Sequence, residues 1–303
     1  MSPKRSEPAL IDAATIMVLR EADEGFEVFM VRRHHKSGFM ANAYVYPGGK
    51  LDEGDCSAVA AERVRGIGAE EACGRLREDI DGFKGLGLFL AGVRETFEEA
   101  GILLACSATS GELVDLTSDV AVAARFGAYR KALIGGELSL SELARREDLV
   151  IPLDRVGYFA HWITPYLEHR RFDTRFFVAL APANQHPLHD AVETTDSLWV
   201  RPLEAIEQYR AGALLLAPPT LRTLEQLARF ASAQAALAFA KTHDPPTILP
   251  HFVEQDGSVA LLLPGDRQFP SEDPDYVLAT PVDDGVTRMM LVDGQWYSQK
   301  GEV

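Results

Sequence analysis

The sequence predicts an α/β domain with helical insertions and a small β-rich C-terminal extension. Three observations carry this expectation. Short runs rich in Val, Ile and aromatic residues alternate with Ala-, Leu- and Glu-rich stretches of helical pattern. A chain of 303 residues that is 47% hydrophobic can build a sizeable core. The composition then shifts at His243-Asp244-Pro245-Pro246, beyond which the chain is rich in Pro, Gly and Asp. The expected organisation is one domain over residues 1–242, with a helical insertion at 56–87, and an extension over 243–303.

Residues 11–20 (IDAATIMVLR) and 26–33 (FEVFMVRR) are expected strands joined by the turn EADEG. A Gly-rich loop follows, with VYPGG ending a short strand. Residues 57–80 read as helix, and Gly82, Gly85 and Gly87 then punctuate the chain. A strong helix is expected over 88–100, with Gly101 in the left-handed capping position. Residues 117–149 are helical with a break at Gly135-Gly136. Strands are expected at 155–163, 174–182 and 197–202. PLEAIEQYRAG reads as one helix, and PPTLRTLEQLARFASAQAALAFAKTH as a second that starts after Pro218-Pro219. RMMLVDGQWYS is an expected hairpin around Asp293-Gly294.

The formal net charge is -15. Such a chain repels nucleic acid and anionic membranes, so an anionic substrate needs a local basic patch or a bound cation. Three cysteines, Cys56, Cys73 and Cys106, show no CxxC spacing, which argues against a disulfide frame or a thiolate zinc site. No stretch approaches the roughly 20 apolar residues of a membrane span, and the expected location is the cytoplasm.

The stretch AGVRETFEEAG, residues 91–101, breaks local rules. Glu95, Glu98 and Glu99 stand at i, i+3 and i+4, so they share one helix face. Like charges at that spacing destabilise a helix, and acids near its C-terminal end oppose its dipole. A hard divalent cation resolves the conflict, because Mg2+ and Mn2+ prefer carboxylate and carbonyl oxygens. The bland alternative is a solvated acidic face, common on exposed helices.

Upstream lies YPGGKLDEGD, residues 46–55. The two stretches together resemble the signature of the Nudix hydrolase family, G x5 E x7 R E U x E E x G U, where U is a bulky aliphatic residue. Gly49 matches the first glycine, Arg94-Glu95 the RE pair, Glu98-Glu99 the EE pair, and Gly101-Ile102 the close. Asp55 stands where the first Glu is expected, and Thr96 takes a U position. Residues 56–93 fill a spacer that the signature holds to seven. Surface loops lengthen at small entropic cost, so both halves can still meet.

The resemblance extends over roughly residues 10–242, through FMVRRHHKSGFMANAYVYPGGKLDEGD and RRFDTRFFVALAP. There the chain looks like the peroxisomal coenzyme A diphosphatase branch and its bacterial relatives. It implies an α/β/α sandwich with a mixed sheet, and hydrolysis of a nucleotide-type diphosphate with Mg2+ or Mn2+. It further implies Glu98 and Glu99 as metal ligands, Glu95 as a further ligand or the base, and a Gly48 or Gly49 carbonyl in the shell. Arg94 would hold a glutamate by ion pairing. A later acid often joins such a site; Glu193 is the candidate, with Asp196 as the alternative.

Two basic clusters stand out as substrate-binding candidates: Arg32-Arg33-His34-His35-Lys36, and His169-Arg170-Arg171 with Arg175. Arginine forks match phosphate oxygens, although solvated basic faces are common. Phe39, Tyr44, Tyr46 and Trp162 are candidates to stack on adenine, against the commoner role of packing. The leading expectation is a diphosphatase acting on coenzyme A or acyl-CoA, giving 3',5'-ADP and (acyl-)phosphopantetheine. Alternatives are the same chemistry on ADP-ribose, a dinucleotide or a nucleoside triphosphate, and a non-catalytic nucleotide-binding domain. No nucleic-acid or membrane partner is expected, and residues 243–303 would pack on the domain or on a second subunit as a homodimer contact.

Overall fold

The computed structural model describes residues 9–34, 40–187, 194–255 and 257–301. It divides into two compact units. The larger comprises Ala13–Phe159 and Phe176–Asp244, the smaller Met1–Asp12, Ala160–Arg175 and Pro245–Val303.

Strands β1 (Leu10–Glu21) and β2 (Phe26–Arg33) form an antiparallel hairpin with Leu19 opposite Val28. Two short strands follow, β3 (Tyr44–Val45) beside β2 and β4 (Gly48–Lys50) beside β1. Next come α1 (Ala58–Ala61), β5 (Val64–Arg65), α2 (Ala69–Leu76) and α3 (Gly82–Ala100). After them lie β6 (Cys106–Ser107), α4 (Val120–Ile134), α5 (Leu140–Arg146) and β7 (Leu149–Pro152). Strands β8 (Gly157–Ile163), β9 (Arg171–Leu180) and β10 (Thr194–Val200) complete the main sheet, in the order β10-β2-β1-β9-β8. Helices α6 (Pro202–Arg210), α7 (Pro218–Leu227) and α8 (Ala233–Thr242) end the larger unit.

Both faces of this sheet are covered. Ala14, Ile16 and Val18 of β1 share an apolar cluster with Phe29, Val31, Phe177 and residues of α3. The intervening Met17 and Leu19 are equally buried. Alternate strand residues point to opposite faces, so each face needs its own helical cover. On one face α3 lies so close that a Cβ on Gly92 would come within 2.9 Å of Ile16. Toward α7, Tyr46 meets Phe176 edge-on and its hydroxyl lies 3.1 Å from Thr223. The α/β/α sandwich with a mixed sheet expected from the sequence is the observed architecture.

The helix expected at 57–80 is instead α1, β5 and α2. Val64 and Arg65 are drawn into a parallel pair with Ile151 and Pro152 of β7, which interrupts the helical run. Conversely, α3 starts at Gly82 rather than 88, capped by Asp81, whose carboxylate accepts from Phe83 N at 2.9 Å. Its glycines do not break the helix; they admit close neighbours. A Cβ on Gly85 would lie 2.7 Å from Cys73 Sγ, and one on Gly87 2.7 Å from Cys56 Sγ. The insertion thus packs flush on α3. The long helix expected after Pro218 splits into α7 and α8, where Ser232 caps the second by accepting from Ala235 N at 3.1 Å.

In the smaller unit, β11 (Thr247–Ile248) runs parallel to His161–Trp162 of β8. Strands β12 (His251–Gln255), β13 (Ser258–Leu262), β14 (Val286–Val292) and β15 (Gln295–Lys300) form an antiparallel sheet in chain order. The expected hairpin at Asp293-Gly294 is present, with both residues in the left-handed region at φ 49 and 80. Asp266 is buried and receives both forks of Arg288, at 2.7 and 2.8 Å. Burial alone would raise its pKa, but Arg288 and the Gln268 amide outweigh it and hold the carboxyl below the ordinary aspartate value.

Two outcomes are expected. Gly87→Ala should destabilise the protein by about 1–3 kcal/mol in urea unfolding, because overpacking against Cys56 exceeds the roughly 1 kcal/mol helix-propensity gain. A depressed carboxylate contributes stability that is full above the ordinary aspartate range and is lost as pH falls through the folded value. Asp266→Asn should therefore cost about 1.5–3 kcal/mol at neutral pH and flatten the acid limb of the stability–pH curve.

Candidate active site

Helix α3 buries Val93, Thr96 and Phe97, which turns Arg94, Glu95, Glu98 and Glu99 away from the core side. Thr96, at a position expected to be aliphatic, satisfies its hydroxyl by donating to the Gly92 carbonyl at 2.7 Å. The helix ends at Gly101 in the left-handed conformation, φ 70, as expected. Arg130 of α4 covers this end, and its Nε donates to the Glu98 carbonyl at 2.9 Å. A cation at a helix C-terminus offsets the exposed carbonyls and the nearby acids.

Arg94 is the hub of the cluster. Its Nη1 donates to Glu95 at 2.9 Å and Glu98 at 3.3 Å. Its Nη2 donates to the Lys50 carbonyl at 2.8 Å and to Asp55 at 3.0 Å, while Nε reaches Asp55 at 3.1 Å. Burial opposes the charge on Arg94, but Asp55, Glu95 and Glu98 outweigh it and raise its pKa further. Glu98 behaves differently. Burial pushes its carboxyl above the ordinary glutamate value despite Arg94. Its negative charge is therefore under-compensated by the protein alone.

Strand β4 approaches the same helix. Gly48 N donates to Glu99 at 2.9 Å. A Cβ on Gly49 would collide with the Glu95 carboxylate and push it from this position, so glycine lets the strand and the acid meet. The structure thus brings together six of the residues singled out by the sequence: Gly48, Gly49, Arg94, Glu95, Glu98 and Glu99. Among the described residues no three His, Cys, Asp or Glu side chains form a ready-made cage for a metal. The donor set nonetheless fits a hard divalent cation, since Mg2+ is usually bound by one or two carboxylates and completes its shell with water and substrate phosphates.

A pocket of about 300 Å³ adjoins this cluster. Leu90, Arg94 and Glu98, spaced by one turn along α3, all line it, together with α1 and the segment around α5. The sequence offered no signal for this pocket or for Arg130. Both depend on segments far from the motif in the chain.

The remaining candidates sit on other elements. Arg32 sits on β2 opposite Tyr44 and Asp196, with Arg33 next to it, both half-buried. The Tyr44 hydroxyl donates to Asp196 at 2.9 Å, and burial together with that carboxylate pushes the hydroxyl up to about 12. In the smaller unit Arg170 is exposed, but Arg171 and Arg175 do not form the expected open basic cluster. Strand alternation turns both inward. Arg171 donates to the Thr164 carbonyl at 3.0 Å, and Arg175 to Asp12 at 2.8 Å. Tyr44, Tyr46 and Trp162 are buried packing residues, not open stacking platforms. Glu193, His35, Lys36 and Phe39 fall outside the described residues.

Removing Arg94 leaves Asp55 buried without its cation. Arg94→Met should cost about 3–5 kcal/mol, the usual scale for orphaning a buried charge. The double variant with Asp55→Asn should recover part of that loss in urea unfolding, which reads the pair as a coupling.

Comparison with known proteins agrees with this geometry. The NUDT19 Nudix domain family matches residues 83–227. The acyl-coenzyme A diphosphatase NUDT19 of Gallus gallus is 30% identical over 83% of this chain and 74% of its own length. The Homo sapiens protein of the same name is 26% identical over 90% of this chain and 80% of its own. A crystal structure of a NUDIX hydrolase from Alicyclobacillus acidocaldarius superposes with a TM-score of 0.63 at 25% identity, covering 78% of this chain and 99% of that one. The acidic helix, its glycine-bearing partner strand and these matches agree: the chain belongs to the Nudix hydrolase family.

Proposed function

We propose that this protein is a divalent-metal-dependent diphosphatase that hydrolyses coenzyme A or its acyl esters to 3',5'-ADP and (acyl-)phosphopantetheine. One observation carries the reading: the Arg94-centred cluster of Glu95, Glu98 and Glu99 on the Gly48–Gly49 strand. It sits in a chain whose relatives, matched over most of their length, are named acyl-coenzyme A diphosphatases.

Hydrolysis adds water across the P–O–P bridge, breaks one P–O bond and leaves both products as phosphate monoesters. Glu98, Glu99 and Glu95, with a carbonyl of Gly48 or Gly49, would hold Mg2+ or Mn2+. The bound cation would screen the diphosphate and activate water. The chain's own residues pre-assemble that set. Arg94 fixes the side chains of Glu95 and Glu98, Gly48 N fixes Glu99, and Arg130 fixes the helix end. Glu95, Glu193 and Asp196 are the candidates to take the proton from the attacking water. Arg32 and Arg33 are the basic candidates for the substrate's further phosphate. Arg171 and Arg175 support the fold around them.

The reading is tested by mass spectrometry of products from coenzyme A, an acyl-CoA, ADP-ribose and a dinucleotide, with Mg2+ and with Mn2+. Coenzyme A or acyl-CoA should yield 3',5'-ADP, and Glu98→Gln should lower kcat by roughly a hundredfold or more while leaving the protein folded. Efficient cleavage of ADP-ribose with coenzyme A left intact would reject the substrate and keep the site.

A further inference from the structure

The pocket beside the acidic cluster has a composition that selects its occupant. Its volume, about 300 Å³, is at the lower end for small-molecule sites, which run roughly 300–1,000 Å³. Five acids line it (Asp52, Asp55, Glu98, Glu137 and Glu142) against two arginines, Arg63 and Arg94. Arg94 is already engaged by Asp55, Glu95 and Glu98. A phosphate would be repelled here, and so would a carboxylate. The rest of the wall is apolar, from Leu90, Leu133, Leu138 and Ile151, interrupted by the serines at 139 and 141. An elongated, uncharged group with a few hydrogen-bonding atoms fits such a wall.

The helix shows how this pocket relates to the reacting centre. Glu95 and Glu99 face β4, whereas Glu98 lines the pocket on one stripe with Arg94 and Leu90. Glu98 therefore belongs to both the acid cluster and the pocket. The other walls come from the 52–55 loop of the signature, from Ala60 and Arg63 in the long insertion, and from the segment running from the end of α4 into α5. The last two lie outside the catalytic signature.

We infer that this pocket is the subsite for the uncharged, amide-containing pantetheine arm of the substrate, which runs along the Leu90/Arg94/Glu98 stripe away from the diphosphate. The inference rests on the coenzyme A reading and adds where the non-nucleotide half binds and which residues select it. It also assigns the insertion a purpose: Ala60 contributes directly to the wall.

Disulfide tethering tests this without relying on turnover. In Ser141→Cys the introduced thiolate can attack the disulfide of pantethine, forming a protein–pantetheine mixed disulfide and releasing one pantetheine thiol. Peptide mass mapping should show the adduct at position 141, formed several-fold faster than on an exposed control, Ser118→Cys. Coenzyme A alkylated at its thiol, which cannot undo the adduct by exchange, should suppress it when added with a chelator, and adenosine 3',5'-bisphosphate should not. In parallel, Ala60→Phe should raise KM for coenzyme A about tenfold with kcat within about twofold. Labelling at 141 no faster than at 118, or unaffected by the S-alkylated coenzyme A, overturns the inference even if Ala60→Phe fails to fold. If wild-type protein cleaves coenzyme A while labelling fails, only the arm subsite is lost. If coenzyme A is not a substrate, the functional reading fails first and the subsite with it.

Discussion

The site depends on one cation. Three glutamates at i, i+3 and i+4 in the last turns of a helix repel one another and oppose the helix dipole. Arg94 lies among them and donates to Glu95, Glu98, Asp55 and the Lys50 carbonyl. It therefore does two jobs with one side chain. It spaces the acids, and it fastens the 50–55 loop to α3. The compensation is incomplete by design of the geometry, since Glu98 retains a raised carboxyl pKa through burial. A cluster that is ordered yet still short of positive charge has oxygen donors of the kind a hard divalent cation accepts.

Around that hub the fold supplies rigid supports. Backbone from β4 meets the acids at Gly48 and Gly49, where a side chain would displace Glu95. Arg130 closes the helix end from α4. The long spacer that separates the two halves of the signature does not loosen them. It docks on α3 at Gly85 and Gly87, with Cys73 of α2 and Cys56 of the turn before α1 as the contacting side chains. Lengthening a connection costs little entropy, and packing the extra residues makes them part of the scaffold.

The same packed insertion gives the larger unit a pocket that the signature alone would not create. Its wall joins α1, α3 and the segment around α5, with Glu98 common to the pocket and the acid cluster. A helix face carrying Leu90, Arg94 and Glu98 in one line places an apolar surface next to a charged one. That juxtaposition suits a substrate whose diphosphate continues into an uncharged arm.

The sequence by itself determined the features whose causes are local. The apolar runs at 11–20 and 26–33 with the turn EADEG between them specified the first two strands, Gly101 the end of the acidic helix, and Asp293-Gly294 the turn between β14 and β15. The spacing of Arg94, Glu95, Glu98 and Glu99 made the site legible, because a helix turns spacing directly into a shared face. Only the tertiary structure decided what depends on distant partners. Val64 left the helical pattern because Ile151 offered it a strand, and Ser232 capped α8 within an otherwise continuous helical run. Arg171 and Arg175 read as an open basic cluster until strand alternation buried them against Thr164 and Asp12. Arg130 and the pocket had no signal in the chain at all. Their roles arise from side chains and segments brought together only by the burial of both sheet faces, an interaction that no window of local sequence contains.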